Sequence, residues 1–244
     1  MQKVDIQTIF DILKDDDWKN ISLINLLKDD LYGRVYRHES AIAVNRNFNQ
    51  RHYFFNKTGQ TDFETLLNKL DFPRGETITL CAADEWMIPI IQERFKTETP
   101  ARCNKYALLG KPTIPPPKHD CRRLQPENAE IVNQYWAYKN DTSLEYIRGM
   151  IRKRGGFIAY MDDQPVAWVM AHDDGSQGFS YVIKPYRRQG IAMSLSANNV
   201  NYAIERGVKL FTYVKDDNIP AISRVLKIGF EIVDTVYWID FVKE

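Results

Sequence analysis

Apolar positions recur along this chain with two periods, and the alternation between them sets out its elements. Helical spacing runs through Ile6 to Leu13 and Trp18 to Leu31. A β-rich section follows at Arg34–Arg37, Ala41–Asn45 and Arg51–Asn56, the last two separated by a polar, Asn-rich turn. Thr61-Asp62-Phe63-Glu64 has the form of a capping box and predicts a helix to about Leu70. Thr77–Cys81 reads as a buried strand, Asp84–Phe95 as a helix and Arg102–Leu109 as a strand. Lys111-Pro112-Thr113-Ile114-Pro115-Pro116-Pro117-Lys118 then puts four prolines in six positions, which neither a helix nor a central strand accepts. It reads as a semi-rigid linker, so the expected division is 1–110, 111–118 and 119–244, with an α+β half on either side.

The second half has a more regular order. Cys121–Leu124 looks like a strand, followed by helices over Pro126–Tyr138 and Thr142–Arg154, the second opened by the capping box Thr142-Ser143-Leu144-Glu145. Gly156–Met161 and Pro165–Ala171 form a hairpin joined by Asp162-Asp163-Gln164. Phe179–Ile183 is a strand and Gly190–Arg206 a helix stopped by Gly207. Lys209–Val214 is a strand, Asn218–Ile228 a helix, and Phe230–Val242 supplies one or two more strands. The order strand, helix, strand predicts that Phe179–Ile183 and Lys209–Val214 run parallel, joined by a crossover helix.

Composition narrows the class. With 44% hydrophobic and 12% aromatic residues the 244-residue chain is globular. A net charge of +1 argues against a protein that coats nucleic acid. No apolar run approaches the roughly 20 residues needed to cross a bilayer. The N-terminus lacks the apolar region of a secretory signal. Cys81, Cys103 and Cys121 are odd in number and make no CxxC pair, so they read as buried thiols of a reducing, cytoplasmic compartment, with no metal. The aromatic residues of the first half read as core or groove lining.

The most specific stretch is Val182-Ile183-Lys184-Pro185-Tyr186-Arg187-Arg188-Gln189-Gly190-Ile191-Ala192, a strand passing through a basic turn into a helix. N–H groups from Arg188 to Ala192 would lack intrahelical partners and coincide with the positive end of the helix dipole. That combination suits a phosphate or pyrophosphate, although an Arg-rich surface helix start has the same pattern. A bulky residue at Gly190 or Ala192 would hold such a ligand off the main chain. The turn lacks the G-x-x-x-x-G-K-[ST] pattern of nucleotide hydrolases.

Two motifs in register with each other make the second half, about residues 120–242, resemble the GNAT superfamily of N-acyltransferases. Arg187-Arg188-Gln189-Gly190-Ile191-Ala192 fits the acyl-coenzyme A motif Arg/Gln-x-x-Gly-x-Gly/Ala, and Asn218, Ala221, Gly229 and Phe230 fit the later Asn-x-x-Ala…Gly-Phe motif. The whole chain is most similar to the glycine N-acyltransferase type, in which a degenerate GNAT-like half without its own cofactor site precedes a complete one. The implied fold is α+β in two such halves, each a mixed sheet flanked by helices, the C-terminal one with a splayed parallel strand pair.

The resemblance implies acetyl-CoA or another acyl-CoA as co-substrate, and a small-molecule amine or amino acid as acceptor. Arg187, Arg188, Gln189, Gly190, Ile191 and Ala192 would hold the pyrophosphate. Tyr181, Val182 and Ile183 would pair through main-chain groups with the pantetheine arm, and Asn218 and Ala221 would line it or keep the splay open. Ala192, Ser194 and Ser196 are small enough to let the helix sit close to the sheet.

The base departs from the family pattern. Where a Glu follows a Gly in the relatives, this chain has Gly175-Ser176. Asp173, Asp174 and His172 lie just upstream and could take the amine proton, although Asp173-Asp174-Gly175 also reads as a plain turn. The position of the usual acid, a Tyr, is Val225, leaving Ser223 or Tyr213 as substitutes. These two departures keep open a second reading, a module that binds acyl-CoA without turning it over.

Overall fold

A computed structural model describes residues 5–48 and 51–244. Part of the Asn-rich turn expected before Arg51 lies outside them, and residues 1–4 of the N-terminus lie wholly outside. The described elements are α1 (Ile6–Leu13), α2 (Ile21–Lys28), β1 (Tyr32–His38), β2 (Ala41–Arg46), β3 (His52–Phe55), α3 (Gln60–Lys69), β4 (Thr77–Ala83), α4 (Met87–Arg94), β5 (Lys96–Thr97) and β6 (Ala101–Ala107). They continue with β7 (Cys121–Arg123), α5 (Ala129–Gln134), α6 (Ser143–Arg154), β8 (Gly156–Met161), β9 (Gln164–Ala171), β10 (Gln177–Val182), α7 (Ile191–Glu205), β11 (Phe211–Lys215), α8 (Ile219–Ile228) and β12 (Glu231–Val242).

Two compact units result, and they do not follow a single cut at 111–118. The first holds Met1–Lys105, Val214–Asp217 and Ile232–Glu244; the second holds Tyr106–Tyr213 and Asn218–Glu231. The C-terminal strand joins the first unit because β12 pairs antiparallel with β4, Ile239 opposite Leu80 and Phe241 opposite Ile78, and with β5. The Pro-rich run is part of the second unit, where Thr113 N–H donates to Ile228 O (2.8 Å) and Lys118 N–H to Ser194 Oγ (3.0 Å). Those contacts are long-range, so composition alone reads the run as a linker.

In the first unit β1 to β4 stand side by side in a mixed sheet, with β3 and β4 parallel and the other pairs antiparallel. Both faces of β2 are covered. Ala41 and Ala43 pack with Phe63, Leu66 and Ile91, and the alternating Ile42 and Val44 pack with Ile9, Leu13 and Leu26. That two-sided burial explains why the strand reads as an unbroken apolar run.

In the second unit β7 to β10 form an antiparallel sheet in the order β10-β9-β8-β7. The β8–β9 hairpin turns on Asp162 and Asp163, both left-handed (φ 49° and 58°), a two-residue turn whose twist suits the flanking strands. Ile191 and Leu195 of α7 bury against Phe157, Ala159, Ala167 and Val169, each worth about 1.5–3 kcal/mol of apolar burial.

The glycine stop expected at Gly207 forms, and a second one follows at Gly229. Gly207 N–H donates to Ile204 O (3.0 Å) and Val208 N–H to Ala203 O (2.9 Å), with Gly207 at φ 63°. Gly229, at φ 102°, repeats the arrangement, and Phe230 N–H reaches Val225 O (3.1 Å). The Gly-Phe pair therefore works as a helix stop, with a left-handed glycine followed by a buried apolar residue.

Neither capping box forms. α3 begins at Gln60 after Gly59, and Asp62 is drawn to the N–H and hydroxyl of Ser40 (3.2 and 2.6 Å). At α6 the buried Ser143 hydroxyl donates to Asn133 Oδ1 (2.5 Å), and Asn140 Oδ1 takes the Thr142 N–H (3.0 Å). The helix expected over Pro126–Tyr138 is a single 3₁₀ turn, Pro126–Asn128, followed by α5, which ends at Gln134.

Candidate functional site

The strands expected to run as a parallel pair, β10 and β11, lie in different sheets. At their beginnings Thr212 Oγ1 donates to Gln177 O (2.7 Å), and Asn199 Nδ2 of α7 donates to Gln177 Oε1 (2.6 Å). β10 is the edge strand of its sheet, so its outer main-chain groups have no strand partner there. Sequence reading missed Gln177, Thr212 and Asn199, because a single polar pair holding two strand starts leaves no periodic signal.

Along β10 the ladder to β9 is interrupted. Gly178 lies opposite Met170 and Tyr181 opposite Trp168, with the register shifting between them. Within that bulge the buried Phe179 has φ 46°, a conformation rare for an aromatic residue. Strain of this kind collects at functional sites and re-aims main-chain N–H groups. Ile183 N–H is directed at Val166 O (2.9 Å), so the alternating Val182 turns its main chain to the outer edge. There Val182 O accepts from Arg187 Nε (2.9 Å), and the same guanidinium lies 5.4 Å from the Tyr181 ring centroid. Arg187 thus staples the turn to the strand as well as adding charge.

The basic turn itself is exposed from Arg187 to Gly190. Lys184–Tyr186 make one 3₁₀ turn, then Arg188 (φ 64°) and Gly190 (φ 83°) both take left-handed conformations. Gly190 O accepts from Met193 and Ser194 N–H (both 3.1 Å), which starts α7. The N–H groups of Gly190, Ile191 and Ala192 have no hydrogen-bond acceptor among the described residues. A Cβ on Gly190 would meet only His119 Nε2, at 3.8 Å. The arrangement fits an anion on the main chain: uncapped N–H groups at a helix start, open space at the glycine, and Arg188 and Lys184 beside it.

Asp173 and Asp174 are 1% and 2% exposed. They form a tight turn between β9 and β10, closed by His172 N–H to Ser176 O (2.9 Å) and by Gly175 at φ 85°. Asp174 Oδ1 accepts from both the N–H and the hydroxyl of Ser176 (3.0 and 2.6 Å). Asp173 Oδ1 accepts from the buried Tyr146 hydroxyl (3.0 Å), and Tyr146 Oη lies 3.5 Å from His172 Nδ1. His172 packs on Phe179 with ring centroids 4.4 Å apart. The turn is thereby brought against the bulge. Trp136 lies 4.8 Å from Phe179 and stacks on Tyr146, while Tyr135 contacts Trp168 and Tyr181, giving this side an aromatic wall.

The two candidate acids stand on other elements than the Asp pair. Ser223 is exposed on α8, and Tyr213 on β11 makes an edge contact with Phe211 (5.8 Å). Asn218 caps α8, its Oδ1 accepting from Ala221 N–H (3.3 Å). Val225 is buried, and burial holds the adjacent Arg224 guanidinium below its ordinary pKa. Among the described residues no group of three or more His, Cys, Asp or Glu is set to hold a metal ion, and no helix is long and apolar enough to cross a membrane.

Comparison with known proteins bears on this arrangement. Residues 154–239, from the end of α6 through most of β12, match the FR47-like protein family. A Drosophila protein of solved structure superposes with a TM-score of 0.81 at 18% identity, covering 97% of this chain and 95% of its own. A GCN5-related N-acetyltransferase from Kribbella flavida gives 0.63 at 15% identity over 92% and 95%. A tandem GNAT protein from the clavulanic acid biosynthesis pathway gives 0.51 at 13% over 91% and 87%. This chain has the GNAT fold. Its two units, mixed sheet and flanking helices are those of the fold. No curated protein sequence matches the chain.

Proposed function

We propose that this GNAT protein is an acyl-CoA-dependent N-acyltransferase, most simply an acetyltransferase, acting on a small amine or amino acid. The observation that carries the reading is the turn at Arg188–Ala192. Its uncapped N–H groups and open Gly190 stand at the end of β10, while the strand starts are tied by Thr212 and Gln177. Gly190, Ile191 and Ala192 hold the pyrophosphate through N–H groups, and Arg188 and Lys184 supply charge. The outer edge of β10 at Val182, between Tyr181 and Ile183, takes a pantetheine amide through the Val182 N–H as an added strand would, with Arg187 yielding Val182 O to the ligand. Asn218 Oδ1 is engaged by its helix, which leaves its amide N–H₂ to donate to the pantetheine arm.

The thioester supplies an activated acyl carbon. A neutral amine forms the N–C bond, the C–S bond breaks, the ammonium proton passes to a base and the thiolate collects a proton from solvent. A thiol with pKa near 8.5 is a good enough leaving group to need little protein acid. This suits a site with Val225 where relatives have Tyr, and leaves Ser223 and Tyr213 secondary. Main-chain N–H groups at the Phe179 bulge polarise the carbonyl. Asp173, coupled to Tyr146 and His172, is the proton acceptor, directly or through water. Asp174 holds the turn through Ser176. Binding without turnover is the second reading, favoured by the aliphatic Val225 and the missing Glu at Ser176.

Gly190→Glu tests the coenzyme site. A Cβ on Gly190 meets nothing nearer than 3.8 Å, and the left-handed φ of 83° costs the Glu backbone about 1–2 kcal/mol, too little to unfold the chain. Calorimetry should show coenzyme A binding lost, with circular dichroism unchanged. Binding at the wild-type affinity would overturn the assignment.

A further inference from the structure

The Pro-rich segment has a role that its linker-like sequence conceals. It begins at the end of α8, where Thr113 N–H meets Ile228 O, and ends on the start of α7. There Lys118 N–H donates to Ser194 Oγ (3.0 Å) and His119 Nε2–H donates to Gln189 O (2.9 Å). A run of prolines suits such a strap, because its extended form is largely fixed before folding.

The His119 bond acts on the anion turn through one peptide group. Gln189 C=O and Gly190 N–H belong to the same planar, trans unit and point in opposite directions. Fixing the carbonyl on the imidazole therefore fixes the Gly190 N–H on the far side, among the uncapped N–H groups. Gly190, at φ 83°, leaves that peptide otherwise free to rotate. We propose that His119 is a positioning residue of the coenzyme A site, orienting the Gly190 N–H toward the pyrophosphate and, when protonated, polarising the same peptide toward the anion.

This rests on the coenzyme reading above. The charged residues beside His119 along its own segment are Lys118 and Asp120, and the turn that it bonds carries Lys184, Arg187 and Arg188. Asp120 is paired with Arg122 (Nε to Oδ2, 2.8 Å), and the first turn of α7 carries no acidic residue. A bound pyrophosphate is thus the anion that would favour the imidazolium.

Two variants separate geometry from charge. Gln in place of His119 can keep an N–H at the Nε2 position without a titrating ring; Ala removes both. By calorimetry His119→Ala should weaken coenzyme A about three- to tenfold, the worth of one such hydrogen bond. His119→Gln should recover most of that loss at pH 8. The ligand titrates as well, so the readout is the ratio of His119→Gln to wild-type Kd, which should rise about twofold to threefold from pH 8 to pH 6. Wild-type affinity in His119→Ala, or a ratio flat with pH, overturns the proposal while leaving the coenzyme site intact. If Gly190→Glu also binds normally, the coenzyme reading itself has failed.

Discussion

Thr212→Val perturbs the tie at the start of the open strand pair. Thr212 is 8% exposed, and its hydroxyl gives Gln177 O a donor at 2.7 Å from across the splay. Valine keeps the shape and removes that donor. A neutral hydrogen bond is worth about 0.5–1.5 kcal/mol net, and a carbonyl left dry costs about 1–3 kcal/mol. Gln177 is half-buried, so water only partly replaces the hydroxyl and about 1–2 kcal/mol is expected. For a chain of this size that lowers Tm by about 2–8 °C. Thr212→Ser restores the donor and should recover most of the loss. Because the tie sets where the strands separate, coenzyme A affinity by calorimetry should fall about threefold or more in the Val variant. A Tm and a Kd both equal to wild type would refute the claim that this bond defines the splay.

Tyr146→Phe removes the hydroxyl that donates to Asp173 Oδ1 and accepts from Asp173 N–H (3.0 and 3.3 Å). In steady-state acyl transfer kcat should fall about tenfold or more while KM for the coenzyme substrate holds, and an unchanged kcat would take the pair out of the chemistry. Burial pushes the Cys103 and Cys121 thiols up to about 11. At pH 7.5 both are protonated in the folded protein, so a thiolate-directed reagent should label the buried Cys103 only after unfolding and the half-buried Cys121 slowly before it. Above pH 9, the ordinary value, the unfolded chain gives up these protons first, so denaturant midpoints should drop between pH 9 and 11; rapid native labelling would contradict the burial.

What could be read from the chain depended on range. The stop at Gly207 is legible because a left-handed residue after a helix is a local requirement that glycine meets. The strand, basic turn and helix around Arg187 to Ala192 were legible for the same reason. The capping boxes misled because Asp62 and Ser143 found tertiary partners in Ser40 and Asn133, which the local pattern does not encode. β12 was foreseen as strand, but its placement in the first unit rests on pairing with β4, far back along the chain. Within the candidate site, Asp173 and Asp174 are candidates by their position along the chain, whereas Tyr146, Thr212 and His119 make contacts between separate elements that no local pattern shows. Lys118 and His119 were hidden further by prolines that suggest a connector rather than a strap.

Amine-dependent release of free thiol from acetyl-CoA tests the central claim most directly. The assay uses the full chain, a panel of small amines and amino acids, and Gly190→Glu as control. N-acyltransfer predicts thiol release in step with N-acetyl product for at least one acceptor, and none from the control. Tight binding of acetyl-CoA with no acceptor-dependent thiol from any amine would contradict it and leave a protein that holds the thioester without using it.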